Sequence, residues 1–273
     1  MHEKDKTLVY SLLEKINLKP YEIIEIKPIH HGFTNLSFYV KTVNQKEYQV
    51  RIGKNNEIVN REIEAIIVEK IFKDDFLYYD KKTGNAIKKW FQGRDLKRCD
   101  LDEAVLKTLI KKIETLHETD LSDLKILPHD AYQFLEKDVL EEKHYLTYLN
   151  LLDEVKDKTL VFSHNDLNLK NILINEEKDL MFIDFEWARL NFWWWDYANF
   201  IREVNLSKKQ IMYFCEVLKI KFVMMVKYLY VCTNFAVQWT YKTTFSKKVL
   251  AYRAKTLKVL EKYYGWLEKA RMH

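Results

Sequence analysis

Glycines and alternating apolar residues are concentrated at one end of this chain. Four of its five glycines lie within the first 93 residues, among runs of β-strand type such as EIIEIKPI, LSFYVKT and EYQVRI. After Gly93 the apolar residues follow helical spacing, as from Leu106 to Leu116, with Asp100 and Glu103 placed to cap that helix. Strands followed by helices indicate an α+β fold. We therefore predict an antiparallel β lobe followed by a larger, mainly helical lobe.

The length and composition allow both lobes to bury a core. Of the 273 residues, 48% are hydrophobic and 14% aromatic, which argues against a disordered chain. We place the boundary at the change of pattern, with a β-rich lobe at residues 1–91 and a helical lobe at residues 92–273.

The net charge of +5 does not indicate a nucleic-acid partner. The 45 basic residues are scattered among 40 acidic ones, and pairs such as Lys81-Lys82 and Lys247-Lys248 do not join into a basic arm. A solvated surface explains this pattern, so we expect a small-molecule substrate. The oligomeric state is left open.

Cysteines and apolar stretches favour a cytoplasmic protein. Cys99, Cys215 and Cys232 lack any CxxC spacing, so neither a disulfide framework nor a zinc site is indicated. The N-terminal MHEKDKTLVYSLLEK lacks the apolar core of a signal peptide. Lys227 interrupts the apolar stretch from Phe222 to Tyr241, and its uncharged part falls short of the ~20 residues of a spanning helix. We predict a buried helix there, without stable membrane insertion.

One segment carries polar residues at the spacing of a phosphoryl-transfer site. His164, Asn165 and Asp166 follow an apolar run, Asn171 comes five residues after Asp166, and Asp184 ends a second apolar run, LMFID. Phosphoryl transfer needs a carboxylate beside the attacking hydroxyl and oxygen ligands for magnesium near the phosphates. Asp166 fits the base, and Asn171 with Asp184 fits the metal ligands.

Two alternatives for this segment fit less well. A lone aspartate in a loop is more often a turn former, but here each polar position flanks a short β-type run, and that context favours the catalytic interpretation. A protein kinase would carry Arg at the HRD position and DFG where this chain has DFE. Only the residues from Asp184 to Asp196 are available for an activation segment. We therefore expect an alcohol-bearing small molecule as the acceptor.

The same segment resembles the choline and ethanolamine kinase family, a branch of the kinase-like phosphotransferases that includes the aminoglycoside phosphotransferases. HNDLNLKNIL is similar to the catalytic-loop motif of the superfamily, and IDFEWARLNFWWWDYAN is similar to the choline kinase pattern. Six positions match that pattern, namely Asp184, Glu186, Asn191, Asp196, Asn199 and Glu203. The resemblance implies a two-lobed protein-kinase-like fold, with a nucleotide-binding lobe at 1–91 and a catalytic, acceptor-binding lobe at 92–273.

The resemblance also implies ATP and Mg²⁺ as cofactors and assigns roles to individual residues. Catalytic roles fall to Asp166, Asn168 and Asn171, and metal ligation to Asn171, Asp184 and Glu186. Structural roles fall to His164, Asp196 and Asn199. Asp196 could instead bind a cation, but its place at the start of a helix favours holding the loop backbone. His164 is better explained by hydrogen bonds to backbone than by proton transfer.

In the β lobe, the resemblance predicts the nucleotide-binding residues. IHHGFTNLSFYV is similar to the family's phosphate-covering loop, which contributes Gly32, Thr34 and Asn35. IKKWFQGRDL is similar to the family's hinge, whose backbone would receive the adenine near Lys89, Trp90 and Phe91.

Arg51 occupies the strand position where protein kinases carry their phosphate-binding lysine. A guanidinium fork suits this role because it can hold a phosphate and a carboxylate at once. We expect the carboxylate partner to be Glu64, which shares a helix face with an apolar stripe, and keep Glu62 as the second choice.

Acceptor recognition is predicted from aromatic and acidic residues of the helical lobe. A quaternary ammonium cannot donate hydrogen bonds, so a choline site needs aromatic faces and nearby carboxylates. The candidates are Trp187, Glu203, Trp239 and Tyr241. Trp193, Trp194 and Trp195 are assigned mostly to packing. Ala236 stands where the family's WxxW segment has its first Trp, and Trp187 replaces a usual Tyr, so ethanolamine stays open.

The sequence thus predicts an ATP-dependent kinase for a small amino alcohol, with choline as the first choice. Ethanolamine, or an acceptor of the aminoglycoside or thiamine type, is the alternative. A catalytically silent kinase fold used for binding is the non-enzymatic alternative.

Overall fold

A computed structural model describes residues 3–29, 35–53, 61–121, 126, 128–156, 159–185, 187–243 and 246–271. The chain divides into two compact units, Met1–Arg94 and Asp95–His273.

In the described part of unit 1, helix α1 (Glu3–Leu13) is followed by five strands and one further α-helix. In chain order these are β1 (Ile23–Ile29), β2 (Leu36–Thr42), β3 (Glu47–Ile52), α2 (Arg61–Lys70), β4 (Phe76–Tyr79) and β5 (Ala86–Lys89). The strands form one antiparallel sheet in the order β1-β2-β3-β5-β4.

The core of unit 1 lies between α1 and one face of this sheet. Eight buried side chains form it: Val9, Leu12, Leu13, Phe38, Val40, Tyr48, Val50 and Ile87. Because side chains alternate along a strand, Arg51 of β3 faces away from the core that its neighbour Val50 enters. The strand period thus places a cationic side chain on the sheet face where α2 supplies a carboxylate.

The described residues of unit 2 form six α-helices and four short strands after β6 (Arg94–Asp95), which spans the boundary along the chain. They are α3 (Glu103–His117), α4 (Glu142–Val155), β7 (Leu160–Ser163), β8 (Ile172–Ile174), β9 (Leu180–Phe182), β10 (Arg189–Phe192), α5 (Trp195–Val204), α6 (Lys208–Val217), α7 (Phe222–Lys242) and α8 (Lys247–Arg271). β7 pairs antiparallel with β10, and β8 pairs antiparallel with β9.

Helix α7 is the centre of unit 2, as expected for the most apolar stretch. It contacts α4, α5, α6 and α8, and most of its middle residues are buried. No single helix among the described residues is long and apolar enough to cross a membrane; α6 and α7 pass that test only as a pair bent by 111°. The predicted α+β architecture, an antiparallel sheet region followed by a mainly helical one, is confirmed.

The predicted helix cap after Gly93 was wrong by two residues. The N-cap of α3 is Asp102, whose carboxylate accepts from the Val105 N–H at 2.9 Å. Asp100 instead accepts from the Lys97 N–H within the preceding turn. Both aspartates precede the same apolar run, so spacing alone could not choose between them.

Candidate active site

The loop after β7 is anchored by side chains from two other elements. Asp196 of α5 accepts hydrogen bonds from the backbone N–H groups of His164 (2.9 Å) and Asn165 (2.8 Å). Asn165 has a left-handed backbone, φ 66°, which asparagine tolerates better than most residues. Its side-chain oxygen accepts from Asn191 of β10 at 2.6 Å. The segment that leads into Asp166 is therefore held at its sharp turn.

Asp196 is fully buried and hydrogen-bonded to His117 of α3, with 3.0 Å between Oδ2 and Nε2. Burial by itself would raise the pKa of Asp196, but the hydrogen bonds from His117 and from the Asn165 N–H hold it below its ordinary value. An ionised carboxylate accepts on both oxygens, which the two loop N–H groups require. This geometry suits the structural role predicted for Asp196.

The His164 ring bonds only to backbone groups in the contacts that the structure shows. Nε2 lies 2.9 Å from the Ile183 carbonyl, to which it must donate, and Nδ1 accepts from the Asp166 N–H at 3.3 Å. These partners assign a neutral ring with its proton on Nε2. The ring thereby connects the catalytic loop to the end of β9, as a loop-shaping residue would.

Both carboxylate oxygens of Asp166 accept hydrogen bonds from asparagine side chains. Asn168 Nδ2 donates to Oδ1 at 3.3 Å, and Asn171 Nδ2 donates to Oδ2 at 2.9 Å. The same two amides also donate to the Asp166 backbone carbonyl, at 3.1 and 2.8 Å. Burial raises the pKa of Asp166, the nearby Glu203 adds to this, and Arg202 and the hydrogen bond from Asn168 oppose it. The carboxylate is fixed in direction and made more basic.

Asn171 and Asp184 are carried by the adjacent ends of β8 and β9. The Ile183 N–H donates to the Asn171 carbonyl at 2.9 Å, which extends the β8–β9 pairing up to Asp184. Both hydrogen bonds from Asn171 to Asp166 use its amide nitrogen, so they do not engage its amide oxygen. Amide and carboxylate oxygens are the donors that Mg²⁺ accepts.

Glu186, the third predicted metal ligand, lies outside the described residues. Within the described ranges, no three His, Cys, Asp or Glu side chains converge as a metal site. The described part of the predicted donor set is therefore Asn171 and Asp184, a pair that would leave other positions of a magnesium ion to water and phosphate.

In unit 1, Arg51 forms its ion pair with Glu64 and not with Glu62. The Arg51 Nη1 group contacts Glu64 Oε1, while Oε2 accepts from Arg61 at 2.5 Å and from the Tyr79 hydroxyl at 3.0 Å. Burial would raise the pKa of Glu64, but Arg51 and Arg61 hold it below its ordinary value. Arg51 Nη2 is buried and has no hydrogen-bond partner among the described residues.

Of the predicted phosphate-covering loop, only Asn35 belongs to the described residues, because Gly32 and Thr34 lie outside them. The Asn35 side-chain oxygen accepts from Arg61 Nη2 at 3.3 Å. Gly84, at φ 72°, lies directly against the Arg61 guanidinium, and any side chain there would displace it. Arg61 therefore joins this loop residue to the Arg51–Glu64 pair.

The predicted hinge residues have part of their backbone already engaged. The Lys89 N–H donates to the Asp75 carbonyl at 2.8 Å, and the Trp90 N–H donates to the Glu47 carbonyl at 3.0 Å. These two N–H groups are therefore not available to an adenine. Among the three predicted hinge residues, a contact between a backbone N–H and an adenine would therefore come from Phe91.

The predicted acceptor aromatics have different contacts. Trp187 is about one-third exposed, and its carbonyl accepts from Asn165. Trp239 packs edge-on against Tyr252 of α8, with ring centroids 6.1 Å apart. The face of Tyr241 is covered by the Arg253 guanidinium, 3.7 Å from the ring centroid. Trp194 and Trp195 are buried, as predicted for packing residues.

Glu203 has two partners that sequence reasoning did not assign. Arg202 Nη1 donates to Glu203 Oε1 at 2.7 Å, and the Tyr252 hydroxyl donates to the same oxygen. Asn199, a predicted structural residue, donates to the Leu167 carbonyl at 3.0 Å and accepts from Arg202. Arg202 lies three residues after Asn199 on the same helix, and this spacing could have indicated their contact from the sequence. No local signal could have indicated Tyr252, which lies 49 residues beyond Glu203.

Comparison with known proteins gives the same assignment as the motifs. The model of the choline/ethanolamine kinase family matches residues 129–223. An uncharacterized protein of Mycoplasma pneumoniae is 32% identical over 197 residues, which cover 70% of this chain and 69% of that protein.

Solved structures show the same fold at low identity. Choline kinase LicA from Streptococcus pneumoniae aligns with a TM-score of 0.72 and 16% identity, over 96% of this chain and 100% of that one. An ethanolamine kinase from Plasmodium vivax gives 0.71 and 17%, over 95% and 90%. LicA in complex with AMP gives 0.66 and 17%, over 94% and 98%. By motif, fold and relatives, this chain belongs to the choline/ethanolamine kinase family.

Proposed function

We propose that the protein transfers the γ-phosphoryl group of ATP to the hydroxyl group of a small amino alcohol, choline or ethanolamine. The observation that carries this proposal is the Asp166 carboxylate, whose two oxygens accept from Asn168 and Asn171 on a loop anchored by Asp196. A base held in one direction is what the attack of a hydroxyl on a phosphorus atom requires. Membership in the choline/ethanolamine kinase family supports the acceptor class.

Asp166 acts as the base in this proposal. The acceptor hydroxyl gives its proton to the carboxylate while its oxygen bonds to the γ-phosphorus and the bond to the β-phosphate oxygen of ATP breaks, which releases ADP. Burial raises the pKa of Asp166, so the ionised group accepts a proton more readily than an exposed aspartate. Asn168 and Asn171 keep the carboxylate directed during the transfer.

Magnesium fits the oxygen donors that the structure describes. Asn171, through its amide oxygen, and Asp184 would hold the ion, and Glu186 is proposed as a further ligand. When bound, Mg²⁺ neutralises the negative charge of the phosphates.

Arg51 is proposed to bind the ATP phosphates in unit 1. Its Nη1 is held by Glu64 and its Nε donates to the Gly84 carbonyl at 3.0 Å, which fixes the plane of the guanidinium. Nη2, buried and without a described partner, supports a phosphate contact. Asn35 is proposed beside it, with Gly32 and Thr34, and the hinge residues Lys89, Trp90 and Phe91 are proposed to receive the adenine, with Phe91 as the one that supplies a backbone N–H.

A substrate panel tests the proposal. Purified protein with ATP and Mg²⁺ is offered choline, ethanolamine, thiamine or an aminoglycoside, and ADP and the phosphorylated product are measured. We expect turnover with an amino alcohol only. Turnover with thiamine or an aminoglycoside alone would move the protein to another branch of the fold, and ATP binding without any turnover would indicate a silent kinase fold.

The cellular location belongs to the same proposal. ATP is a cytoplasmic cosubstrate, and all three cysteines are free thiols, with Cys215 and Cys232 buried. We place the reaction in the cytoplasm.

A further inference from the structure

Arg202 is a buried guanidinium in the wall of the proposed acceptor site. Its side chain is 9% exposed, and each of its three nitrogens is bonded. Nε donates to Cys232 Sγ at 3.4 Å, Nη1 donates to Glu203 and to the Tyr252 hydroxyl at 3.0 Å, and Nη2 donates to Asn199. Helices α5, α7 and α8 therefore meet at one cation.

Arg202 balances the charge of Glu203, but one carboxylate oxygen of Glu203 can still accept hydrogen bonds. Arg202 and Tyr252 both donate to Oε1, and neither contacts Oε2. A carboxylate has room for further donors on its second oxygen. Glu203 thus offers a directional acceptor whose net charge is cancelled by the adjacent guanidinium.

The surroundings of this pair are polar and carry a further cation. A small, partly open pocket is lined by Arg202, Glu203, Tyr252 and Lys255, among others. Lys255 Nζ donates to the Glu203 backbone carbonyl at 3.2 Å. Of the charged groups in this wall, two are positive and one is negative. A ligand that relies on net charge alone finds little attraction here.

Of the predicted acceptor aromatics, Trp239 and Tyr241 are already engaged by other side chains. Ala236 is buried and has no ring, Trp239 packs against Tyr252, and Arg253 already covers Tyr241. A quaternary ammonium depends on such faces and on uncompensated carboxylates because it has no N–H group. An ammonium with N–H groups can instead donate to Glu203 Oε2.

On the basis of the proposed function, we infer that Arg202 is a specificity-determining residue, which compensates Glu203 through Oε1 so that the site selects an ammonium group bearing N–H over a quaternary ammonium. Ethanolamine is then preferred to choline. One charge-assisted hydrogen bond corresponds to a preference of about tenfold to a hundredfold in kcat/KM.

A methylation series tests this in the wild-type protein. Ethanolamine, its N-methyl and N,N-dimethyl forms, and choline are compared as acceptors. The largest fall in kcat/KM is expected at the last methylation, which removes the last N–H. A kcat/KM that rises towards choline overturns the inference and leaves the proposed function intact. Absence of turnover with all four overturns the proposed function itself.

Arg202→Met tests the residue, because it removes the charge and keeps the length of the side chain. The ratio of choline to ethanolamine kcat/KM should rise about tenfold, since Glu203 becomes an uncompensated charge. Arg98→Met is the matched control. Arg98 donates to the backbone carbonyls of Val204 (2.6 Å) and Asn205 (2.9 Å) at the end of the same helix, so its loss should leave the ratio unchanged.

A folded Arg202→Met protein with the wild-type ratio overturns the role of Arg202, and so does an equal shift in the Arg98→Met protein. Folding is checked by circular dichroism and by retained ATP binding. If Arg202→Met does not fold, the methylation series on the wild-type protein decides the inference by itself.

Discussion

The loop that carries Asp166 and the wall that carries Glu203 hold their carboxylates by different means. Asp166 is held by Asn168 and Asn171, two and five residues away along the chain. Glu203 is held by its neighbour Arg202 and by Tyr252, 49 residues away on another helix. The loop is a local device, whereas the wall is built from separate helices. Substitutions in the wall can therefore change acceptor specificity and leave the contacts that hold Asp166 intact.

Loss of the base should give the largest effect and would show how much of the chemistry resides in the loop. Asp166→Asn keeps the shape but removes proton acceptance, so kcat should fall by roughly 10² to 10⁴ while ATP binding persists. Steady-state kinetics and nucleotide titration measure the two effects. Near-normal turnover in this variant would remove Asp166 from the role of base.

The anchor beneath the loop is the next largest expected effect. Asp196→Asn replaces one accepting oxygen by an NH₂ group that faces a backbone N–H, so the free energy of unfolding should fall by roughly 2 to 4 kcal/mol. Chemical denaturation measures it. Asp153→Asn, on an exposed face of α4, is the control and should leave stability unchanged.

The same anchor predicts a pH dependence. The pKa of Asp196 is lowered by folding, so its stabilisation is complete above the unfolded-state pKa, about 3.9, and is lost as the pH falls through the lower folded-state pKa. The stability difference between wild type and Asp196→Asn should therefore shrink below about pH 4. A difference that stays constant down to acid unfolding would contradict the assigned ionisation.

In unit 1, the Arg51–Glu64 ion pair joins two elements, β3 and α2, as the hydrogen bond from Tyr252 to Glu203 joins α8 to α5. A double-mutant cycle of Arg51→Ala and Glu64→Ala should show a coupling of roughly 0.5 to 3 kcal/mol in ATP binding. Arg51→Lys keeps the charge but loses the planar fork, so the KM for ATP should rise. Glu62→Ala is the matched control on the same helix, and coupling of Arg51 to Glu62 would reverse the assignment.

The smallest effect is expected at the aromatic part of the wall. Trp239→Ala should weaken acceptor binding by roughly 0.5 to 2 kcal/mol and leave the KM for ATP unchanged. The variant is assayed with both amino alcohols. A loss confined to choline would assign the ring to a cation–π contact, whereas an equal loss would assign it to packing against Tyr252.

Several parts of the fold could be predicted because they depend on short-range periodicity. The strand period placed Val50 in the core and Arg51 on the opposite face, and the helix period placed Glu64 on the face that meets Arg51. The cap of α3 shows the limit, since Asp100 and Asp102 lie equally close to the start of the apolar run. The choice between them depends on the turn geometry of Lys97 to Asp100, which apolar spacing does not encode.

The sequence by itself determined how the Asp166 carboxylate is held, because its hydrogen bonds join residues no more than five positions apart. Only the tertiary structure decided that His117 meets Asp196, 79 residues away, and that Tyr252 shares an oxygen of Glu203 with Arg202. Such contacts arise where helices pack, so their partners are set by the packing of α3, α5, α7 and α8 and not by local spacing. The contact between Arg202 and Glu203 is local, whereas the Tyr252 hydroxyl that joins them could be placed only once α5 and α8 were packed together.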